Sequence, residues 1–120
     1  MAENDKRPKE SMSQAEIDQC IQNCHNCYNA CLQTAAKYQQ SGKQNEQAVY
    51  MRLLLDCADI CQVSESFMRR QSERSGYICG ICAQICEECA NHSDQMGETD
   101  CANACRNAAW SCGQIAKMVP

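Results

Sequence analysis

No apolar run in this chain approaches the roughly 18 residues that a membrane span needs, and the mean hydropathy is −0.56. A transmembrane helix is excluded. Positive charge is short as well: Lys and Arg number 11 against 15 Asp and Glu, for a net charge of −4. That balance argues against nucleic acid or an anionic membrane surface as the main partner. No segment sustains apolar/polar alternation or clusters β-branched residues, so strands are not expected. Signatures of catalysis are also missing. There is no recognisable Ser/His/Asp set, no phosphate-cradling glycine loop and no conspicuous carboxylate pair, so no catalytic residue is assigned and no enzyme is expected. The N-terminal stretch MAENDKRPKESMSQ lacks the apolar core and cleavage site of a secretory leader. With Met1 as the start, the chain is expected to be cytoplasmic, where thiols stay reduced.

What the chain has is cysteine. Thirteen occur in 120 residues, against one Trp, one Phe and four Tyr. Such density in a small chain first reads as a disulfide scaffold, yet thirteen is odd and cannot pair completely. The length allows one domain with a modest core. Residues 1–12 are polar, carry Pro8, and are expected to form a disordered tail. The remainder, 13–120, reads as a single metal-binding domain.

Ser13 and Glu16 form an S-x-x-E capping box ahead of a helical pattern that runs to Gln40, and Ser41-Gly42 supplies a stop. A second helix is predicted from about Asn45 to about Gln71. A third runs from Ser75 to near His92, followed by a turn over Ser93–Gly97. Thr99 is the predicted cap of a fourth helix, with Asp100 in its first turn, ending near Met118. Four helices joined by short turns imply an all-α, antiparallel up-down-up-down four-helix bundle.

The cysteines stand at 20, 24, 27 and 31; 57 and 61; 79, 82, 86 and 89; and 101, 105 and 112. Within each predicted helix the steps are 3 or 4, or once 7, which keep side chains on one face. A bundle has one interior for four such stripes, so its centre should be lined with sulfur. Ile17, Ile21 and Leu32, and Ile78, Ile81 and Ile85, flank the stripes and should add apolar burial worth about 1.5–3 kcal/mol per large side chain. Free cysteine packs as a small hydrophobe, so the metal-free bundle should fold. Gly80 and Gly113, inside predicted helices, read equally as close-approach positions or as tolerated defects.

Several chemistries compete for these thiols. Side chains at i and i+3 or i+4 have Cβ atoms about 5–6 Å apart, too far for an unstrained disulfide at about 3.8 Å. Cross-helix bridges leave one cysteine over. The run Cys79-x2-Cys82-x3-Cys86-x2-Cys89 superficially matches ferredoxin spacing, but the iron–sulfur motif is C-x2-C-x2-C-x3-C-P in a loop. A stack of tetrathiolate zinc sites would bury net negative charge, and the stripes hold no Lys or Arg to offset it. Cu(I) replaces a thiol proton with equal charge, is soft, and matches thiolate. Multiple Cu(I) ions per chain is therefore the first reading. Storage of Zn(II) or another thiophilic metal is the alternative, as is a thiol redox protein using the C-x-x-C pairs at 24–27, 79–82 and 86–89.

The pattern Cys20-x3-Cys24-x2-Cys27-x3-Cys31, Asp56-Cys57-Ala58-Asp59-Ile60-Cys61, Cys79-x2-Cys82-x3-Cys86-x2-Cys89-Ala90 and Cys101-x3-Cys105 with Cys112 resembles the bacterial copper storage proteins. The resemblance covers about 16–118. It implies a homotetramer of bundles whose inward cysteines hold many Cu(I) ions, and the missing leader is similar to the cytosolic branch. The sequence departs from the fullest pattern at Ala108, between Cys105 and Cys112, and at Glu98 ahead of Cys101, which puts capacity near that end in doubt.

Copper needs a route inward. The bundle end formed by the 41–44 and 93–98 turns gathers His92, Met96 and Met51, which are candidate transient ligands, with Cys101 in the first turn of the fourth helix. The opposite end carries Met12, Met68 and Met118, read as filler. His25 lies off the stripe and reads as a surface or subunit-interface residue. Trp110, Tyr50 and Tyr77 are expected to pack, and Arg69, Arg70, Glu73 and Arg74 to form a solvated helix end.

Overall fold

Helix α1 (Gln14–Gln40) begins at its capping box: Ser13 Oγ accepts the Glu16 N–H at 3.1 Å and Glu16 Oε1 accepts the Ser13 N–H at 2.9 Å. The computed structural model describes residues 13–117. The expected tail over 1–12, including Met12, and Met118 lie outside the described residues. Three further helices follow: α2 (Ala48–Arg69), α3 (Ser75–Gln95) and α4 (Thr99–Ala116). Among the described residues there is no strand. Each helix packs on its sequence neighbour, and α1 also packs on α4. The four therefore close an antiparallel ring around one axis.

The turns obey backbone sterics. Gly42 and Gly97 each adopt φ 75° just beyond α1 and α3, a conformation that glycine reaches without Cβ strain. Three boundaries differ from the sequence reading. Helix α2 starts at Ala48 rather than Asn45, because residues 45 and 46 are exposed and the first side chains to reach the core are Tyr50 and Met51. Helix α3 continues through Ser93–Gln95, which the sequence reading assigned to a turn. Tertiary partners override local propensity there: Ser93 Oγ bonds Tyr50 Oη at 2.8 Å and Asp94 accepts from Arg106 at 2.8 Å. Thr99 is the first helical residue of α4 and not its cap; Glu98 takes that place without a side-chain capping bond. Its carboxylate is committed to Lys37 Nζ at 2.8 Å and Tyr38 Oη at 3.1 Å.

The core is built from the cysteines, with Tyr50, Leu54, Ala58, Ala90, Ala102 and Ala108 fully buried among them. Ile21 is buried, and Ile17, Leu32 and Ile85 pack against the core from its edge. Ile81 does not join them. It is 48% exposed, which corrects its expected place beside the cysteine stripe, and Tyr77 and Trp110 are 62% and 70% exposed in the single chain. Their positions on α3 and α4 point away from the cysteine stripe, so the isolated bundle has nothing to cover them. Gly113 has open space where a Cβ would stand, and Gly80 has only an ordinary contact with Ala116 at 3.6 Å. Neither glycine is required for close approach, so the tolerated-defect reading holds.

Candidate metal centre

Steps of three and four residues on each helix turn every cysteine toward the axis. All thirteen are buried and none is in a disulfide. Their sulfur atoms form a lattice that crosses between helices. Near the start of α1, Cys112 lies 3.7 Å from Cys20 and 3.4 Å from Cys24. In the middle, Cys27 is 3.6 Å from Cys57 and 3.5 Å from Cys105, and Cys86 is 3.5 Å from both Cys57 and Cys61. Toward the other end, Cys31 reaches Cys105 at 3.7 Å and Cys89 at 4.0 Å. Among these contacts one is within a helix, Cys82 to Cys86 at 3.7 Å.

Five sets of sulfurs lie close enough to share an ion, each set within 4.8 Å throughout. Three contain four cysteines: Cys27, Cys57, Cys61 and Cys86; Cys27, Cys31, Cys57 and Cys105; Cys31, Cys89, Cys101 and Cys105. Two contain three: Cys20, Cys24 and Cys112; Cys24, Cys61 and Cys82. The sets overlap. Cys27 and Cys57 each belong to two of the four-membered sets, as do Cys31 and Cys105, so the sulfurs must bridge between ions if the whole lattice is used. Cys79 belongs to none.

The electrostatics are those of a dry, uncharged core. Among the described residues the buried polar groups are Thr34, Ser64, Ser93 and Ser111, with no buried Lys or Arg. Hydrogen bonds from the Cys112 and Cys20 thiols pull Cys24 down to about 6. Its neighbours are pushed the other way: Cys112 is raised by the thiols of Cys20, Cys24, Cys79 and Cys82 around it, and Cys61 by those of Cys24, Cys27, Cys57 and Cys82. A single thiolate in the lattice is thus solvated by the S–H groups around it.

The two ends of the lattice differ. At the end bounded by the 93–98 turn, Cys101 is buried in the first turn of α4, and the Tyr50 ring stacks on His92 with centroids 4.9 Å apart. Met51 is buried and Met96 packs on the core from its edge. His92, Met96 and Met51 therefore come to the end where the sequence reading put them. At the other end, Met68 is buried beneath a groove of about 380 Å³, also lined by Ile17, Tyr77 and Ile115.

Two site neighbours escaped the sequence reading. Ser64 follows Cys61 by three residues on α2, and Ser93 follows Cys89 by four on α3, so each continues a cysteine stripe. Both are fully buried. The signal was the spacing itself, which a search for sulfur alone passes over. Ser93 is partnered by Tyr50. Among the described residues Ser64 Oγ is buried without a hydrogen-bond partner, a state that costs about 1–3 kcal/mol.

Residues read as peripheral are so. His25 is exposed, with Nδ1 3.4 Å from Glu65 and its ring stacked on Tyr28. Arg69 pairs with Glu65 at 2.7 Å on the exposed face of α2, and Arg70 lies over the Phe67 ring. Ala108 is fully buried in the α4 stripe, where it leaves one position of the lattice without sulfur.

Three comparisons bear on this site. The family model described as copper storage protein matches residues 10–117. An uncharacterized cysteine-rich protein of Bacillus subtilis, YhjQ, is 32% identical over 108 residues, covering 88% of this chain and 93% of that protein. Among solved structures, a Nitrosospira multiformis protein superposes with a TM-score of 0.81 at 36% identity, covering 88% of this chain and 98% of that one. The Cu(I)-bound copper storage protein BsCsp3 superposes with a TM-score of 0.78 at 31% identity, covering 84% of this chain and 98% of its own.

Proposed function

The chain belongs to the copper storage protein family, and from that premise we propose that its thirteen inward cysteines are the ligands that store Cu(I). Cys20, Cys24, Cys27, Cys31, Cys57, Cys61, Cys79, Cys82, Cys86, Cys89, Cys101, Cys105 and Cys112 each exchange a proton for a copper ion. One observation carries the reading: twelve of the thirteen buried sulfurs fall in overlapping sets close enough to share an ion, and among the described residues no Lys or Arg is buried with them.

Charge and ligand number select the ion. Exchange of H⁺ for Cu(I) leaves the core neutral and avoids the cost of burying unpaired charge. Zinc takes four ligands in a structural site, but the middle four-cysteine set shares members with both others, so at most two of the three sets can hold separate tetrahedral ions. An ion content with two or three bridging sulfurs per ion fits the overlap. Thiol exchange is disfavoured by access, since Cys24, Cys27, Cys79, Cys82, Cys86 and Cys89 are all at 0% exposure and an exchange partner must reach the attacking sulfur.

His92, Met96 and Met51 act as transient ligands at the end where Cys101 lies. Their support is placement beside the last four-sulfur set. The chain works in the reducing cytosol as a homotetramer; the exposed Tyr77, Ile81 and Trp110 support an assembly that covers them. The test is an anaerobic titration against a Cu(I) chelator, with proton release followed in parallel. Storage predicts about thirteen Cu(I) per chain, one per cysteine, and about one proton released per ion at neutral pH. Saturation at about three Zn(II), with weaker copper binding, would sink it.

A further inference from the structure

Cys79 is the one cysteine outside every group of sulfurs close enough to share an ion. It nevertheless sits at 0% exposure at the end of the lattice, where the antiparallel register that sets Cys57 against Cys86 at 3.5 Å and Cys61 against Cys82 at 3.8 Å brings Ser64, the next step of the α2 stripe, opposite it. Ser64 is the buried oxygen without a partner. Two incomplete groups therefore face each other: a hydroxyl proton with no acceptor and a thiol with too few sulfur neighbours. A neutral thiol is a weak acceptor. A thiolate is a strong one, and hydrogen bonds to ionised acceptors are roughly twice as strong as neutral ones.

We propose that Ser64 is a positioning residue of the storage lattice, whose hydroxyl donates to the Cys79 thiolate once Cu(I) has displaced the thiol proton and so completes the end site. No bond is made to the oxygen and no electron moves; the thiol proton leaves to solvent as the Cu–S bond forms. The proposal rests on the copper reading above. It makes Ser64 a polar group that is unsatisfied in the empty bundle and satisfied in the full one, so the metal-free state tolerates a defect that loading repairs.

Ser93 provides an internal contrast. It occupies the matching step at the end of the α3 stripe, but its hydroxyl already bonds Tyr50 at 2.8 Å. Removing it leaves the tyrosine hydroxyl unpaired in the metal-free state, whereas removing the Ser64 hydroxyl relieves an unpaired group.

The experiment compares wild type, Ser64→Ala, Ser93→Ala, Cys79→Ala and the double variant S64A/C79A, by thermal unfolding without metal and by anaerobic Cu(I) titration against a chelating competitor. Ser64→Ala is expected to melt at or above the wild-type temperature without metal, while its weakest copper binds roughly tenfold less tightly, equal to about 1.4 kcal/mol. Ser93→Ala is expected to melt lower without metal. In the Cys79→Ala background, Ser64→Ala should change copper binding no further. A titration of Ser64→Ala that superposes on wild type at about thirteen ions overturns the proposal and leaves storage standing. Equal loss from Ser64→Ala with and without Cys79 also overturns it, since the hydroxyl then acts elsewhere. Should Ser64→Ala fail to fold, Ser64→Cys decides: it continues the 57–61 stripe with sulfur and should add about one ion, and unchanged capacity would count against an ion site there. A wild-type chain that takes up no Cu(I) removes the storage reading itself.

Discussion

Cys24 and Cys112 are 88 residues apart in sequence, yet their sulfur atoms stand 3.4 Å from each other across α1 and α4. Cys112 also touches Cys20 at 3.7 Å, so one α4 thiol bridges two steps of the α1 stripe. A lattice of shared ligands behaves differently from separate sites: loss of one bridging sulfur withdraws a ligand from every ion it touches.

Cys112→Ala should therefore lower copper capacity by about two ions rather than one, because both of its α1 neighbours lose a partner. Its cost to the metal-free fold should be small, about 1 kcal/mol, as for deletion of one buried heavy atom. The end point of a stoichiometric Cu(I) titration checks the first figure and thermal unfolding the second. A capacity loss below one ion would refute the shared-ligand description.

Ala108 tests the same idea by addition. It is fully buried between Cys105 and Cys112, and Ala108→Cys extends the stripe with one more sulfur. Capacity should rise by about one ion, and overpacking should cost about 1–3 kcal/mol of metal-free stability. A variant that folds and binds no more copper than wild type would show that Ala108 is not a position of the lattice.

Tyr50 links stability to pH at the opposite end. Burial raises its phenol above the ordinary value of about 10. A raised folded value contributes stability that is fully present below the unfolded value and is lost as pH rises toward the folded one. Tyr50→Phe cannot ionise, and it leaves Ser93 without its 2.8 Å partner. At neutral pH the variant should be less stable than wild type by about 1–3 kcal/mol, and the gap should narrow as pH climbs above 10. Chemical denaturation at a series of pH values reports both; a constant gap contradicts the assignment.

His92 is expected to govern rate and not capacity. It lies beside Tyr50 at the bundle end, outside the thirteen thiols. His92→Ala should slow copper uptake and release severalfold with an unchanged end point. Stopped-flow mixing with a chromogenic Cu(I) complex measures this, and unaltered rates would move the route for copper elsewhere.

Much of this molecule could be read from its residues one after another. The capping box at Ser13, the stop at Gly42, the helical count and the inward direction of all thirteen cysteines follow from local sterics and a 3.6-residue period, which need no knowledge of the partner helices. The end of α3 could not be read that way. Ser93 and Asp94 favour a turn by composition, and only the Tyr50 and Arg106 side chains, supplied by other helices, hold them helical. Exposure of Ile81, Tyr77 and Trp110 was likewise invisible, since periodicity fixes the centre of each buried stripe but not how far around the helix its neighbours reach.

Spacing along each chain segment determined that sulfur lines the interior, because side-chain direction is a property of one helix. Which sulfurs meet, that Cys27, Cys31, Cys57 and Cys105 each serve two four-membered sets, and that Ser64 stands unpartnered beside Cys79 were decided by how four helices slide and rotate against one another. That register is set by the summed packing of all the buried side chains, and no single stretch of sequence contains it.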